Sequence, residues 1–277
     1  MRLGGPIWVD YDDPQMWVNA LSDLGYKAAY CPVTTETDEA MVSAYARAAE
    51  NAGIVIAEVG AWSNPLSPDE DTRKPALEHC KKSLDLADRI DALCCVNIAG
   101  SRGEKWDGPA AADLTEETFA MIVDVVRDII DSVKPRRTFY TLEPMPWMYP
   151  DSPDSYLRLI EAIDRKAFAV HLDPVNLINN PQRYFHNTRF LRECFAKLGP
   201  YIKSCHAKDI LLGDSLTVHL TEVRPGLGQL DYRTFLRELS ALDPDIPLMV
   251  EHLPDENEYR LAAEFIVSVA RSENLAL

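Results

Sequence analysis

The sequence predicts an α/β protein folded as a single-domain (β/α)8 TIM barrel over residues 1–277. Three observations support this fold class. Eight short apolar runs alternate with longer amphipathic ones, no linker marks a second domain, and 277 residues suit a barrel that typically needs about 250. An open doubly wound sheet is the alternative, but it would normally show a glycine-rich phosphate turn after the first strand, and none follows here.

Strand-like runs and helical stripes alternate along the chain. The clearest helix is predicted over residues 119–133, where apolar side chains recur every three or four positions after Thr115 and two glutamates. Similar stripes over 77–90 and 262–269 predict two further helices. The eight predicted strands span residues 3–9, 26–33, 54–62, 93–100, 138–144, 168–174, 202–210 and 247–253.

Composition and charge narrow the functional class. A net charge of −16 and a pI near 4.8 argue against nucleic-acid and anionic-membrane partners, because binding phosphate groups requires clustered lysines and arginines. Six cysteines without metal-site or disulfide-scaffold spacing are typical of reduced thiols in the cytoplasm. The acidic start of the chain argues against a signal peptide, and no apolar run reaches the roughly 18 residues that span a membrane. We therefore expect a cytoplasmic protein.

Four side chains of metal-ligand type stand near the ends of the last four predicted strands: Glu143, Asp173, His206 and Glu251. The C-terminal ends of barrel strands meet at one face, where active sites lie. Three carboxylates brought together would repel one another, and a divalent cation would remove that conflict. Oxygen donors with one imidazole favour one Mn²⁺ ion, with Mg²⁺, Co²⁺ or Zn²⁺ as alternatives. A lone acid at a strand end is more often a cap or a solvated rim residue, but four in successive units are hard to explain in that way.

At these residues the sequence resembles the xylose isomerase-like TIM-barrel superfamily, which includes sugar isomerases and epimerases. The matching segments are TLEP (141–144), HLDPVN (171–176), CHAKD (205–209), PGLGQLDY (225–232) and VEH (250–252). The resemblance implies that Glu143, Asp173, His206 and Glu251 bind the metal, and that the two glutamates also act as catalytic acid and base. The chain departs from ketose 3-epimerases at Asn176, where those enzymes usually have a substrate-binding histidine.

Further residues are candidates for binding the substrate: His171, Asn176, Lys208, Arg224 and Trp106. His171 shares strand alternation with Asp173 and could orient a substrate hydroxyl, although a hydrogen-bonded core histidine is the commoner outcome. Lys208 could stabilise an enediolate or be solvated or salt-bridged, and Arg224 could hold a substrate oxygen or be a surface residue before a turn. Asp209 is expected to anchor a loop.

Aromatic side chains and long loops follow several strand ends. Trp106 lies in loop 100–113, which we expect to cover the substrate, and a second long loop is predicted over 211–231. Trp62 and Trp147 also lie at or beyond strand ends, where an aromatic wall would suit a sugar, although large residues also close barrel rims. His252 has the opposite strand parity from the preceding glutamate, so we expect it to be structural.

The leading functional hypothesis is a divalent-metal-dependent isomerase or epimerase that acts on a sugar or keto-polyol. It would remove a proton next to a carbonyl bound to the metal. The first alternative is a metal-dependent lyase, either an inosose-type dehydratase or an enzyme that removes a C-linked aglycone from a 3-keto sugar. The second is a non-catalytic binding protein that retains the fold. We expect a small carbohydrate as the partner and leave a homo-oligomer open.

Overall fold

Eight parallel strands close into a barrel, which confirms the predicted fold class. The computed structural model describes all residues 1–277. Around the barrel the order is β1-β10-β7-β6-β5-β4-β3-β2, and β8 and β9 form a separate two-stranded sheet. The strands are β1 Arg2–Gly4, β2 Ala28–Tyr30, β3 Val55–Gly60, β4 Cys94–Asn97, β5 Phe139–Leu142, β6 Phe168–Leu172, β7 Ile202–Ala207, β8 Asp209–Leu212, β9 Leu220–Val223 and β10 Pro247–Val250.

Helices surround the barrel, and most of the long ones begin at an Asp, Ser or Thr whose side chain accepts a hydrogen bond from the first turn. Two short 3₁₀ turns lie at Ala111–Leu114 and Gly199–Tyr201. None of the helices is both long enough and apolar enough to cross a membrane. The helices are α1 Pro14–Asp23, α2 Glu39–Ala52, α3 Glu70–Ile90, α4 Glu116–Val133, α5 Pro153–Ile163, α6 Pro174–Leu177, α7 Pro181–Phe185, α8 Asn187–Leu198, α9 Tyr232–Ser240 and α10 Glu256–Ser272.

One apolar core of 64 buried residues joins the barrel to its helices. Helix α4 shows how the sequence pattern produces this core. Its predicted stripe, including Phe119, Ile122, Val126 and Ile129, is the face that is buried. Burying one aliphatic side chain of this size contributes about 1.5–3 kcal/mol. The helix layer therefore holds the strands rigidly and fixes where their ends lie.

The predicted loop 211–231 contains structure that the sequence pattern did not reveal. Strands β8 and β9 pair antiparallel within and just before it. Asp209 anchors the segment that follows, because its carboxylate accepts hydrogen bonds from the backbone N–H groups of Gly226, Gly228 and Leu230 at 3.0, 3.1 and 2.9 Å. A side chain at position 228 would collide with that carboxylate, so the close approach requires glycine. The expected loop-anchoring role of Asp209 is confirmed.

Candidate metal centre and substrate pocket

The four predicted ligands lie together at the mouth of the barrel, with one donor atom from each within 4.8 Å of the others. His206 stands among the three carboxylates. Its Nδ1 lies 2.9 Å from Glu251 Oε2, 3.3 Å from Glu143 Oε1 and 3.9 Å from Asp173 Oδ2. Strand alternation and the closed parallel sheet bring these four residues together from widely separated positions in the chain.

Each carboxylate is placed by the end of a strand. Glu143 directly follows β5, and its backbone N–H donates to the carbonyl of Asn97 at 2.8 Å, so that the acid is the last residue to pair with the barrel. Asp173 follows β6 and caps helix α6, with Oδ1 accepting from the N–H groups of Val175 and Asn176. Glu251 directly follows β10. The chain leaves the barrel immediately after each acid, which keeps the carboxylates at the mouth.

The donor set fits a divalent cation. Asp173 Oδ2 and Glu251 Oε2 are buried, yet neither has a hydrogen-bond partner of acceptable geometry. Buried carboxylate oxygens without partners are costly and need a compensating charge. Three carboxylates and one imidazole are donors that Mn²⁺, Mg²⁺ and related ions accept. The residues present could therefore hold a divalent cation, with Asp173 Oδ2 and Glu251 Oε2 as two of its ligand atoms.

Lys208 adds a second positive charge to this cluster. Its side chain is only 1% exposed, and its Nζ lies 2.8 Å from both Asp173 Oδ2 and Glu251 Oε2 and 3.3 Å from Glu143 Oε1. These are ion-pair distances, although the angles to the first two oxygens do not make regular hydrogen bonds. The sequence left open whether Lys208 is solvated or salt-bridged, and the structure shows a buried, salt-bridged lysine.

The electrostatics of the cluster favour positive charge among the acids. Burial by itself would raise the pKa of Glu143, but the charges of Lys208 and His206 hold that pKa at about 2. Burial would likewise raise the pKa of Glu251, which His206 and Lys208 instead lower. Asp173 differs, because burial and the charge of Glu143 outweigh Lys208 and raise its pKa to about 6. Burial would lower the pKa of His206, but the surrounding glutamates raise it.

A pocket of about 390 Å³ opens above the four ligands. Glu143 and Glu251 line it, and Trp62, Trp106 and Trp147 contribute aromatic surface. The three indoles are 37–41% exposed, so part of each ring is accessible to a bound molecule. The pocket is large enough for a small ligand and combines apolar walls with a few convergent polar groups, as ligand sites usually do.

Sequence and structure comparisons agree with the barrel fold. A family model described as xylose isomerase-like TIM barrel matches residues 18–269. The chain belongs to this family. Among curated protein sequences, none matches the chain.

Three solved structures illustrate the shared fold. D-psicose 3-epimerase from Clostridium cellulolyticum H10, solved with D-tagatose, has a TM-score of 0.69 at 14% identity, covering 100% of this chain and 100% of that one. The probable 3-DHS dehydratase involved in petrobactin synthesis from Bacillus anthracis has a TM-score of 0.70 at 16% identity, covering 97% and 98%. A xylose isomerase-like TIM barrel protein from Mycobacterium smegmatis, solved in complex with magnesium, has a TM-score of 0.66 at 17% identity, covering 94% and 90%.

Within this xylose isomerase-like barrel, the predicted substrate-binding residues fall in different places. Trp106 and Asn176 line the pocket, and Asn176 also donates to Glu143 Oε1 at 2.9 Å. Arg224 is drawn into an ion pair with Glu258 at 2.9 Å, away from the residues that line the pocket. His171 is completely buried below the pocket and bonds to Glu58, which favours the alternative of a hydrogen-bonded core histidine.

Glu58 on β3 is a site residue that the sequence interpretation missed. It is 2% exposed, and its carboxylate lies 2.9 Å from His171 Nε2 and 3.2 Å from His206 Nε2. Burial would raise the pKa of Glu58, but the two histidines lower it to about 2. The sequence did contain an indication of this role. A glutamate in the middle of the apolar run 54–62 must be buried and therefore needs hydrogen-bond or charge partners.

His252 and Glu222 were also missed as pocket residues. The expectation that His252 is structural rested on strand alternation, but β10 ends at Val250 and His252 adopts a left-handed backbone with φ of 57°. Alternation therefore no longer applies, and the imidazole lines the pocket beside Glu251. His252 Nδ1 lies 3.4 Å from the carboxylate of Glu222, which reaches the pocket from β9. The sequence pattern did not reveal the hairpin of β8 and β9, so it could not predict that Glu222 reaches the pocket.

Proposed function

We propose that this protein is a divalent-metal-dependent isomerase or epimerase that acts on a sugar or keto-polyol. The observation that carries the proposal is the convergence of Glu143, Asp173, His206 and Glu251 directly below a pocket that Glu143 and Glu251 also line. Two carboxylates that reach both the ligand cluster and the pocket can move protons on a substrate held between them.

The cation would be held by those four side chains, and Mn²⁺ is the ion we propose. A divalent ion held there would polarise a substrate carbonyl and would stabilise the negative charge that develops when an adjacent proton leaves. The mixed oxygen and imidazole donors support Mn²⁺ or a close relative. The Mycobacterium smegmatis relative was solved in complex with magnesium, which supports a divalent ion as the cofactor.

The proton chemistry is assigned to Glu143 and Glu251. Both carboxyl groups line the pocket, where one of them can accept a proton from a bound substrate. Asn176 and Lys208 both contact Glu143 Oε1, at 2.9 and 3.3 Å, and so fix the direction in which this carboxylate points. One glutamate in its carboxylate form would remove a proton from the substrate, and the other, in its carboxylic acid form, would donate its own proton. Donation to the opposite face of the same carbon inverts that stereocentre, and donation to the neighbouring carbon moves the carbonyl group.

The walls and charges of the pocket support an uncharged carbohydrate as the substrate. Trp62, Trp106 and Trp147 offer flat apolar surfaces that suit the C–H faces of a sugar ring. The two basic side chains that line the pocket are both paired with acids, Lys105 with Asp107 at 3.0 Å and His252 with Glu222 at 3.4 Å. The D-psicose 3-epimerase structure, solved with D-tagatose, supports a sugar substrate, and the probable 3-DHS dehydratase keeps the lyase alternative open.

A metal-dependent lyase is the second candidate, and the Glu222–His252 pair favours it. An elimination needs a general acid at the departing group in addition to the base that removes the proton. Glu222 and His252 lie 3.4 Å apart on the pocket wall and are outside the ligand set, so either could protonate a leaving group. Both reactions start with the same proton abstraction and differ in what leaves the neighbouring carbon.

One experiment separates these functions. Mn²⁺-loaded protein would be incubated in D₂O with a panel of neutral keto sugars and inososes, and the products analysed by NMR and mass spectrometry. Deuterium in an isomer or epimer supports the leading proposal, and loss of water or an aglycone supports the lyase. If no member of the panel shows either exchange or loss of a group, both functions are contradicted. Glu143→Gln serves as the inactive control, and Glu50→Gln on the exposed face of α2 should behave like the parent.

A further inference from the structure

Glu58 lies inside the barrel, beneath the ligand cluster, and divides its two oxygens among three donors. Oε1 lies 3.2 Å from His206 Nε2. Oε2 lies 2.9 Å from His171 Nε2 and accepts a hydrogen bond of 3.0 Å from Ser204 Oγ. All four side chains are at most 2% exposed. This network belongs to β3, β6 and β7, and Glu58 is none of the four ligands proposed above.

The two nitrogens of His206 face different partners. Nδ1 faces Glu251 and Glu143 at 2.9 and 3.3 Å, whereas Nε2 faces only Glu58. A histidine can bind a cation only through a nitrogen without a proton, and the hydrogen bond made by the other nitrogen decides which one that is. A carboxylate that accepts the second N–H also makes the ligating nitrogen more basic.

We infer that Glu58 is a positioning residue for the metal centre: it accepts the Nε2 proton of His206 and thereby keeps Nδ1 free to bind the cation. The inference rests on the proposed metal centre and adds a fifth side chain to it. Glu58 acts through His206 and touches neither cation nor substrate.

His171 and Ser204 hold Glu58 in the orientation that this role requires. Both bind Oε2, which leaves Oε1 to His206 alone. The His171 ring also packs edge-on against the His206 ring, with centroids 4.1 Å apart and planes at 68°. Nδ1 of His171 is buried without a partner, whereas an N–H at Nε2 finds an acceptor in Glu58. The two histidines therefore present matching N–H groups to one carboxylate.

A second cation held by Glu58, His171 and His206 is the competing explanation, because these three donors also lie close together. That arrangement would require His206 to bind a cation through each ring nitrogen at once and so to lose both protons. It would also leave the Ser204 hydroxyl directed at an oxygen that already binds metal. Hydrogen bonding satisfies all three donors without either requirement, and it is the arrangement we propose.

The test compares Mn²⁺ binding by the parent, Glu58→Gln and a matched control, using the EPR signal of free Mn²⁺. Glu58→Gln should weaken binding about 10–100-fold, the usual effect of losing such a partner. If the amide oxygen of the glutamine faces His206 Nε2, the hydrogen bond remains but its acceptor has lost the negative charge. If the NH₂ group faces Nε2 instead, it donates to that nitrogen and forces the imidazole proton onto Nδ1. Thr141→Val is the control, because it removes another completely buried barrel hydrogen bond, to the carbonyl of Cys95, without touching Glu58. Its affinity should stay within about fivefold of the parent.

A second measurement does not depend on any variant folding. In Zn²⁺-loaded parent protein labelled with ¹⁵N-histidine, long-range NMR correlations should show His206 with its proton on Nε2 and the metal on Nδ1. The opposite tautomer would overturn the inference, as would unchanged Mn²⁺ affinity in Glu58→Gln. If the parent binds two cations and Glu58→Gln binds one, Glu58 is itself a ligand, and the inference is also overturned. A parent that binds no cation would instead refute the proposed metal centre itself.

Discussion

The side-chain amide of Asn176 donates a 2.9 Å hydrogen bond to Oε1 of Glu143, across the gap between α6 and the end of β5. The same oxygen lies 3.3 Å from both His206 Nδ1 and Lys208 Nζ. All three contacts fall on Oε1, which leaves Oε2 as the oxygen able to face the pocket. Asn176 therefore stands where it can set the direction of a carboxylate that we propose moves protons.

Replacing Asn176 by alanine should lower kcat while the cation remains bound. A hydrogen bond to a charged group is worth about 1.5–3 kcal/mol, which corresponds to a loss of at least roughly tenfold in rate. Steady-state kinetics and metal analysis of the same preparations would measure both quantities. Asn179→Ala is a matched control, because that nearby amide bonds to the carbonyl of Pro146 and not to Glu143. Equal kcat values for the two variants would remove Asn176 from this role.

His206→Ala and Asp173→Ala should each abolish near-stoichiometric Mn²⁺ binding. Both side chains are completely buried in the cluster, so neither can be replaced by a neighbour without movement of the barrel strands. Metal analysis after reconstitution checks this prediction. Glu222→Gln, at the pocket but outside the ligand set, should retain the ion. If both alanine variants bind Mn²⁺ as tightly as the parent does, the cation lies elsewhere in the protein.

Glu143→Gln and Glu251→Gln should each reduce turnover by at least about 100-fold, because general acid–base catalysis contributes roughly 10²–10⁴ in rate. Glutamine keeps the size and one oxygen donor but removes the basicity. The decisive measurement is exchange of the substrate C–H in D₂O by variants that still hold Mn²⁺. If a variant exchanges at the parent rate, the corresponding glutamate is not the base, and Lys208 becomes the next residue to test.

Trp106→Ala should raise KM about fivefold to tenfold without affecting the metal. The indole lines the pocket and is 38% exposed, and aromatic contacts of this kind are worth about 0.5–1.5 kcal/mol beyond simple burial. Its loop is held in place at several points, including the 3.0 Å bond from Trp147 Nε1 to the carbonyl of Asp107. Trp8→Ala, an exposed indole outside the pocket, is the control. Parent-like kinetics in Trp106→Ala would show that loop 100–113 does not contact the substrate.

Asp209→Ala should destabilise the fold by at least about 3 kcal/mol, because several backbone N–H groups would lose their only acceptor and each unpaired donor costs about 1–3 kcal/mol. Asp209→Asn retains one acceptor oxygen, so its free energy of unfolding should fall by less than that of Asp209→Ala. Urea unfolding of the metal-free proteins measures the difference. Asp214→Ala, on the exposed turn of the same hairpin, should unfold like the parent. An Asp209→Ala protein of unchanged stability would contradict the anchoring role.

The sequence predicted the barrel and the cluster because both depend on short-range periodicity. Alternation within a strand says which side chains face inward, and a polar residue where an apolar run stops marks the end of the strand. Glu143, Asp173, His206 and Glu251 all satisfy these rules, so their convergence followed once the strands were assumed to close. Helix α4 was predicted for the same reason.

The identity of each partner across the barrel was decided only by the tertiary structure. Glu58 meets His206 from 148 residues away because strand register and the packing of interior side chains bring them to the same level, and neither is visible in a local pattern. His252 turns into the pocket because its backbone is left-handed at φ of 57°, which ends the alternation on which the sequence prediction relied. Arg224 is drawn to Glu258 on α10. Periodicity determines which face a side chain occupies, whereas only the closed fold determines what it meets there.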